Sequence, residues 1–328
     1  MKWQNFMPRA PWMVTLALLL ALFAYGGAAY PNFASWGVVR NLFVDNAFLG
    51  VAAIGATFVI LSGGIDLSVS SVMAFTSVLV ATLIERSHVH PLAAFAIAVG
   101  SGVAFGAGQG LLISCLDLPP FLVTLAGMFL ARGAAFAVHP QSIGIAHPFV
   151  GETLNEALSV HLPLGPHGVT IPVTVVVLVI ALLAAWLTLR HTRFGRAVYA
   201  VGDDAGAAAL MGLPVAGVRV RVYAVAGGVS ALAGVVFSLY QQSGDPAACK
   251  GLELDVIASV IIGGTLLRGG VGTVVGSLGG VLVLGLIQTI ITFQGNLSSW
   301  WTRIVAGGLV LLFLVLHRLV ARGERPGS

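Results

Sequence analysis

Charge is what this chain has least of. Its 328 residues hold 16 Lys and Arg and 12 Asp and Glu, 9% of the whole. A soluble domain of this length carries roughly 82 charged residues. A surface so poor in charge excludes a water-soluble globule, and 58% hydrophobic residues exclude a disordered chain. Cysteine is nearly absent: Cys115 and Cys249 make neither a disulfide framework nor a metal-ligand spacing, and both read as small packing residues. Lysine occurs only as Lys2 and Lys250, so there is no G-x-x-x-x-G-K-[ST] loop for a nucleotide. G-x-S-x-G, H-E-x-x-H and C-x-x-C are missing too, and the eight histidines lack ligand spacing. These absences argue against an enzyme, and no Lys/Arg run forms a stripe for nucleic acid.

What is present is apolar sequence in blocks. They lie at 12–30, 47–62, 67–84, 92–114, 119–138, 168–189, 220–240, 254–267, 271–293 and 301–317. Ten helices of about 20 residues would use about 200 residues. Alternation of period two is absent, so the blocks read as helices and not barrel strands. The first follows Lys2 and Arg9 and reads as a retained helix, being long for a signal-peptide core. The expectation is one all-α transmembrane domain over 1–328 with about ten spans. The blocks at 47–62 and 254–267 are the shortest, and each contains or abuts a Gly-Gly pair.

Positive charge orients the chain. With the N-terminus in the cytoplasm, Lys2, Arg9, Arg190, Arg193, Arg196, Arg219, Arg221, Arg268, Arg318, Arg322 and Arg325 fall inside. Arg40, Arg86 and Lys250 fall outside, and an even number of spans puts both termini in the cytoplasm. Two loops are long. The outer one, 139–167, is proline-rich; the inner one, 190–219, contains Asp203 and Asp204 before AGAAALM and a stop at Gly212-Leu213-Pro214. Such a short capped helix reads as a docking element or as a basic loop that merely fixes topology.

A weak repeat links the halves. Gly102, Gly106 and Gly110 in the fourth span match Gly272, Gly276 and Gly280 in the ninth. The third span opens on Asp66-Leu67-Ser68-Val69-Ser70 and the eighth on Asp255-Val256-Ile257-Ala258-Ser259. Matches five spans apart imply an inverted repeat, an architecture of transporters.

Intramembrane polar groups are the places for chemistry. Asp66, after Gly63-Gly64, either caps the next helix or touches a polar solute. Arg132 and Arg303 read as snorkelling to an interface, and Glu253 and Asp255 as outer-surface caps. Asn46, Ser70, Thr124, Gln288, Thr289 and Thr292 could bond a neutral solute, with Phe48, Phe121, Trp300 and Trp301 as flat apolar partners. A sugar, with hydroxyl edges and a C–H face, suits amides beside aromatics.

Several segments resemble the ribose/xylose/arabinose-type ABC importer permeases. They are the run from Gly55 through Ser62-Gly63-Gly64-Ile65-Asp66-Leu67-Ser68, Thr124-Leu125-Ala126-Gly127-Met128 with Arg132-Gly133, Thr192-Arg193-Phe194-Gly195-Arg196, and Glu253-Leu254-Asp255 through Ile262-Gly263-Gly264-Thr265. Within the family, Asp45-Asn46-Ala47-Phe48-Leu49-Gly50 and Leu286-Ile287-Gln288-Thr289 through Trp300-Trp301 are most similar to a galactofuranose importer permease. The resemblance implies a bacterial inner-membrane subunit without a cofactor of its own. Its partners would be a second homologous permease, a cytoplasmic ATPase with two nucleotide sites that holds ATP and Mg, and a periplasmic sugar-binding protein. It also implies ATPase coupling through Arg193, Phe194, Gly195, Arg196, Asp204, Leu210 and Gly212. Asp203-Asp204 and Arg268 depart from the family pattern, which has Gly-Asn and a small residue there. The alternative is an ion-coupled secondary transporter using Asp66.

Overall fold

The computed structural model describes residues 10–154, 159–162, 169–295 and 300–323. All ten apolar blocks are helical: α1 (Ala10–Ala29), α3 (Ala47–Leu61), α4 (Val69–Glu85), α5 (Pro91–Cys115), α6 (Pro120–Val138), α7 (Val173–His191), α10 (Val215–Gln241), α11 (Leu252–Ile262), α12 (Val274–Gln294) and α13 (Trp300–Gly323). Among the described residues, three more α-helices lie between them, α2 (Trp36–Asp45), α8 (Arg193–Asp203) and α9 (Ala205–Leu210), with a π-helical turn at Phe149–Thr153. Starts follow the local chemistry. Proline opens α5 and α6, where a missing N–H costs nothing. Ser35, Thr192 and Thr273 cap α2, α8 and α12 with side-chain oxygens.

Five helices, α5, α6, α7, α10 and α12, are long and apolar enough to cross a membrane. Helices α2 and α3, bent by 52° at Asn46, are together long and apolar enough for a sixth, and shorter apolar helices lie among the described residues as well. The protein is an all-helical, polytopic membrane protein. The block at 254–267 differs from expectation: α11 has 11 residues, about 16 Å at 1.5 Å per residue, too short to span. It is a half-helix.

Helices α3 and α10 form the centre, and every residue of α3 except Phe48 is buried. Helix α10 packs on α4 and α5, as α3 packs on α11 and α12. Helix α4 meets α5 and α6, as α11 meets α12 and α13. These partnerships correspond at five spans' distance, as an inverted repeat requires. The glycine stripes do not. Gly102, Gly106 and Gly110 face α10 at Ala231, Gly227, Tyr223 and Val220, whereas Gly276 and Gly280 face the half-helix at Gly263 and Ser259. Gly272 lies in the turn before α12. Each stripe serves close backbone approach, but in different pairs.

Small strands close the end of the bundle away from the basic loop. Ile143–Gly144 pairs antiparallel with Ser243–Gly244, and Val160–Leu162 with Val169–Ile171. The segment expected to be helical from 168 therefore begins as strand and turns helical at Val173. Arg40 ties α2 to this region by donating Nε to the Thr170 carbonyl at 2.7 Å. The start of α1 lies at the other end, where Thr15 donates to the Ile262 carbonyl. Helix α13 starts at the strand end and runs back along α11 and α12.

A Cβ at Gly106 would collide with the Tyr223 carbonyl, while at Gly108 it would meet nothing. Gly106→Val should cost about 1–3 kcal/mol or more of packing and lower the thermal midpoint of the detergent-purified chain. Gly108→Ala should leave it unchanged.

Candidate functional site

At the end where α10 and α12 finish, a cavity of ≈ 680 Å³ opens between helices. Its wall comes from α2 and its bend (Asn41, Asp45, Asn46), the start of α3 (Phe48), the last turn of α10 (Tyr240, Gln241), the half-helix (Asp255), α12 (Gln288, Thr289, Thr292) and α13 (Trp300, Arg303). The lining mixes amides, hydroxyls, aromatic rings and three charges with aliphatic side chains such as Val38, Leu49, Leu252 and Leu284. Phe48 is held edge-on to Phe237 at 5.3 Å, and Tyr240 donates to Asp45 at 3.0 Å. Asn46 donates Nδ2 to the Leu42 carbonyl at 2.8 Å, bracing the 52° bend that opens this wall.

Of the residues singled out from sequence, the cavity collects Asn46, Phe48, Gln288 and Thr289, with Thr292 and Trp300. Asp66, Ser70 and Thr124 lie elsewhere. Asp66 is 5% exposed in the turn between α3 and α4 and accepts from the Ser68 N–H and hydroxyl, both at 2.7 Å. It braces the residue that caps α4 and does not cap the helix itself. Thr124 and Tyr223 both donate to the Ile65 carbonyl at 3.3 Å, so the turn is held from three sides. Ser70 donates to Glu253, joining α4 to the half-helix.

That contact corrects the expectation for the charged residues. Glu253 and Asp255 lie in the first turn of α11 without a side-chain cap bond: the half-buried Glu253 meets Ser70, and the half-buried Asp255 lines the cavity. Nor does Arg132 snorkel. Its Nη1 donates to the carbonyls of Pro246 and Ala248 at 2.9 and 2.6 Å, in the non-helical segment before α11. Non-helical backbone has carbonyls that a helix would satisfy internally, and the guanidinium serves two of them. Arg303 lies over the Trp300 ring at 5.2 Å. Sequence reading missed Asn41, Asp45, Tyr240, Gln241 and Asp255 as lining. Block-finding marks where helices lie, not which faces converge.

The basic loop sits at the opposite end. It is two helices, where sequence reading expected only the second. Thr192 accepts from Gly195 N at 3.0 Å to start α8, which carries Arg193 and Arg196 exposed and stacks Phe194 on Phe58 at 6.3 Å. A Cβ at Gly195 would strike the Leu189 carbonyl, so the helix pair needs glycine there. Tyr199 donates to the Gly272 carbonyl at 2.8 Å, and burial pushes its phenol above the ordinary value, keeping it a donor. Asp204 caps α9 through Ala207 N at 2.9 Å, and Gly212 leaves it at φ +82°. Between them, Leu210 and Met211 project at 92% and 72% exposure. Arg268 shares this end: its carbonyl lies near Gly63, and its neighbour Gly270 donates to Leu61 O at 3.0 Å.

Residues 38–314 match the family described as branched-chain amino acid transport system / permease component. Three relatives align over nearly their whole length. The inner membrane ABC transporter permease protein YjfF of Escherichia coli K12 is 48% identical over 94% of this chain and 92% of its own. The ribose import permease protein RbsC of Escherichia coli K12 is 34% identical over 92% of each. The L-arabinose ABC transporter permease protein AraH of Azospirillum brasilense is 34% identical over 94% of this chain and 87% of its own. No solved structure matches.

A multi-pass bundle with a polar cavity at one end and a helical loop at the other, matched over most of its length, is a non-catalytic permease component of an ABC transporter. The chain belongs to the permease family that covers residues 38–314. Such a component works with ATPase and binding-protein partners.

Arg132→Met should strip two carbonyls of a charged donor, worth about 1.5–3 kcal/mol for each bond to an ionised group. A lower thermal midpoint for the purified chain is expected. The exposed Arg221→Met should not move it.

Proposed function

We propose that this chain is the membrane-spanning subunit of an importer that carries a neutral monosaccharide from periplasm to cytoplasm. The cavity carries the reading. Its amides, hydroxyls and rings suit a solute with both hydroxyl edges and a C–H face, and its place opposite the basic loop suits alternating access. Relatives named for ribose, fructose and arabinose support a sugar. Among sugars we favour galactofuranose, from the likeness at Asp45–Phe48 and at Gln288–Thr289. The relative named as an inner membrane protein supports that membrane, and the distribution of basic residues is our ground for putting both termini in the cytoplasm.

Energy enters at the loop. Arg193, Phe194, Gly195 and Arg196 anchor α8, while Asp204, Leu210 and Gly212 shape a tip that seats in the ATPase. The exposed Leu210 and Met211 supply the apolar contact. The ATPase holds ATP and Mg, a second homologous permease completes the pathway, and a periplasmic sugar-binding protein delivers the solute. Asp66 lies outside the cavity and accepts two bonds from Ser68 through Oδ1, which supports a structural role in the turn over ion coupling.

Two outcomes test the reading in proteoliposomes containing the whole complex. Asp204→Arg with Leu210→Asp should leave membrane insertion intact and cut sugar moved per ATP at least tenfold; normal coupling would displace the docking helix. Gln288→Ala should reduce uptake of methyl β-D-galactofuranoside severalfold with assembly unchanged. Equal uptake would remove Gln288 from the pathway.

A further inference from the structure

Two charged side chains in the cavity wall have hydrogen-bonding capacity to spare, the half-buried Asp255 and the exposed Arg303. Asp255 lies in the first turn of α11 and Arg303 near the start of α13. Neither makes a side-chain hydrogen bond or ion pair among the described residues. The neighbouring ionisable groups are all engaged. Glu253 takes the Ser70 hydroxyl, Asp45 takes the Tyr240 hydroxyl, and Arg132 is spent on two carbonyls. Glu253 and Asp255 stand two residues apart, about 200° around a helix, so one faces α4 and the other the cavity. Arg303 is set over the Trp300 ring, its N–H donors still unused. The amides of Gln241 and Gln288, also in the wall, have no side-chain partner among the described residues.

We propose that Asp255, Arg303 and Trp300 form the subsite that recognises a neutral polyol in this cavity. Asp255 accepts a hydrogen bond from a hydroxyl, Arg303 donates to the neighbouring oxygens, and the Trp300 ring takes the C–H face. Asp255 and Arg303 offset each other, and the third charge of the lining, Asp45, is bonded to Tyr240. An amino-acid zwitterion would engage the two charges alone, whereas a ring with several hydroxyls can also bond the exposed amides of Gln241 and Gln288. The subsite rests on the sugar-importer reading above and names the groups that select the solute.

The purified complex would be probed by saturation-transfer NMR with methyl β-D-galactofuranoside, D-ribose and L-leucine, alongside sugar uptake and ATP turnover in proteoliposomes. For at least one sugar, Asp255→Asn and Arg303→Gln should each weaken binding and sugar moved per ATP about tenfold. Trp300→Ala should lose the signal from the C–H face, with stimulated ATP turnover and thermal midpoint kept throughout. A merely structural role would lower those last two together. Wild-type complex that moves neither sugar would sink the importer reading. Sugar transport with binding unchanged in both charge variants would overturn the subsite alone, as would leucine binding that depends on the pair while sugar binding does not.

Discussion

Backbone polar groups in a bilayer have no water to turn to, so wherever a helix stops short, other protein must supply the partner. That demand organises this molecule. The half-helix α11 ends at Gly263 and is preceded by non-helical chain, and each break is met from a neighbour. Arg132 serves the carbonyls of Pro246 and Ala248, Thr15 serves Ile262, and Gly270 serves Leu61. The turn at Ile65 draws on Thr124 and Tyr223. Interrupted helices are what make room for a cavity, since an unbroken bundle would fill the same volume with side chains.

The same breaks divide the labour. One end carries a polar cavity whose wall is bent at Asn46 and floored by α11. The other carries glycine turns in backbone contact with α8: Gly202 lies against Leu61, and Gly269 against Gly63 and Gly202. These close backbone contacts make a continuous packed path from α8 to the turns that end α3 and α11.

Much of this was legible in the residues. The ten helices follow from apolar runs bounded by proline and polar caps, and α9 from an aspartate ahead of AGAAALM. Helix α2 was not legible, because an Arg and an Asn dilute its apolar content. Helix α8 was not, because its basic residues read as loop. The placement of Asp255 and Arg132 was hidden for another reason: a run of apolar residues does not say whether it crosses the bilayer or stops halfway.

Composition and periodicity alone determined that the chain is a membrane-embedded helical protein with a basic loop between two of its helices, since apolar runs follow from transfer energies summed along the chain. That it is a permease rests on its family motifs and relatives. Only the tertiary structure decided which polar groups meet. Asn46, Asp255, Gln288 and Arg303 are far apart in sequence and share a wall because α3, α11, α12 and α13 pack side by side. That convergence depends on close approach at small residues and on where helices break, neither of which hydropathy measures.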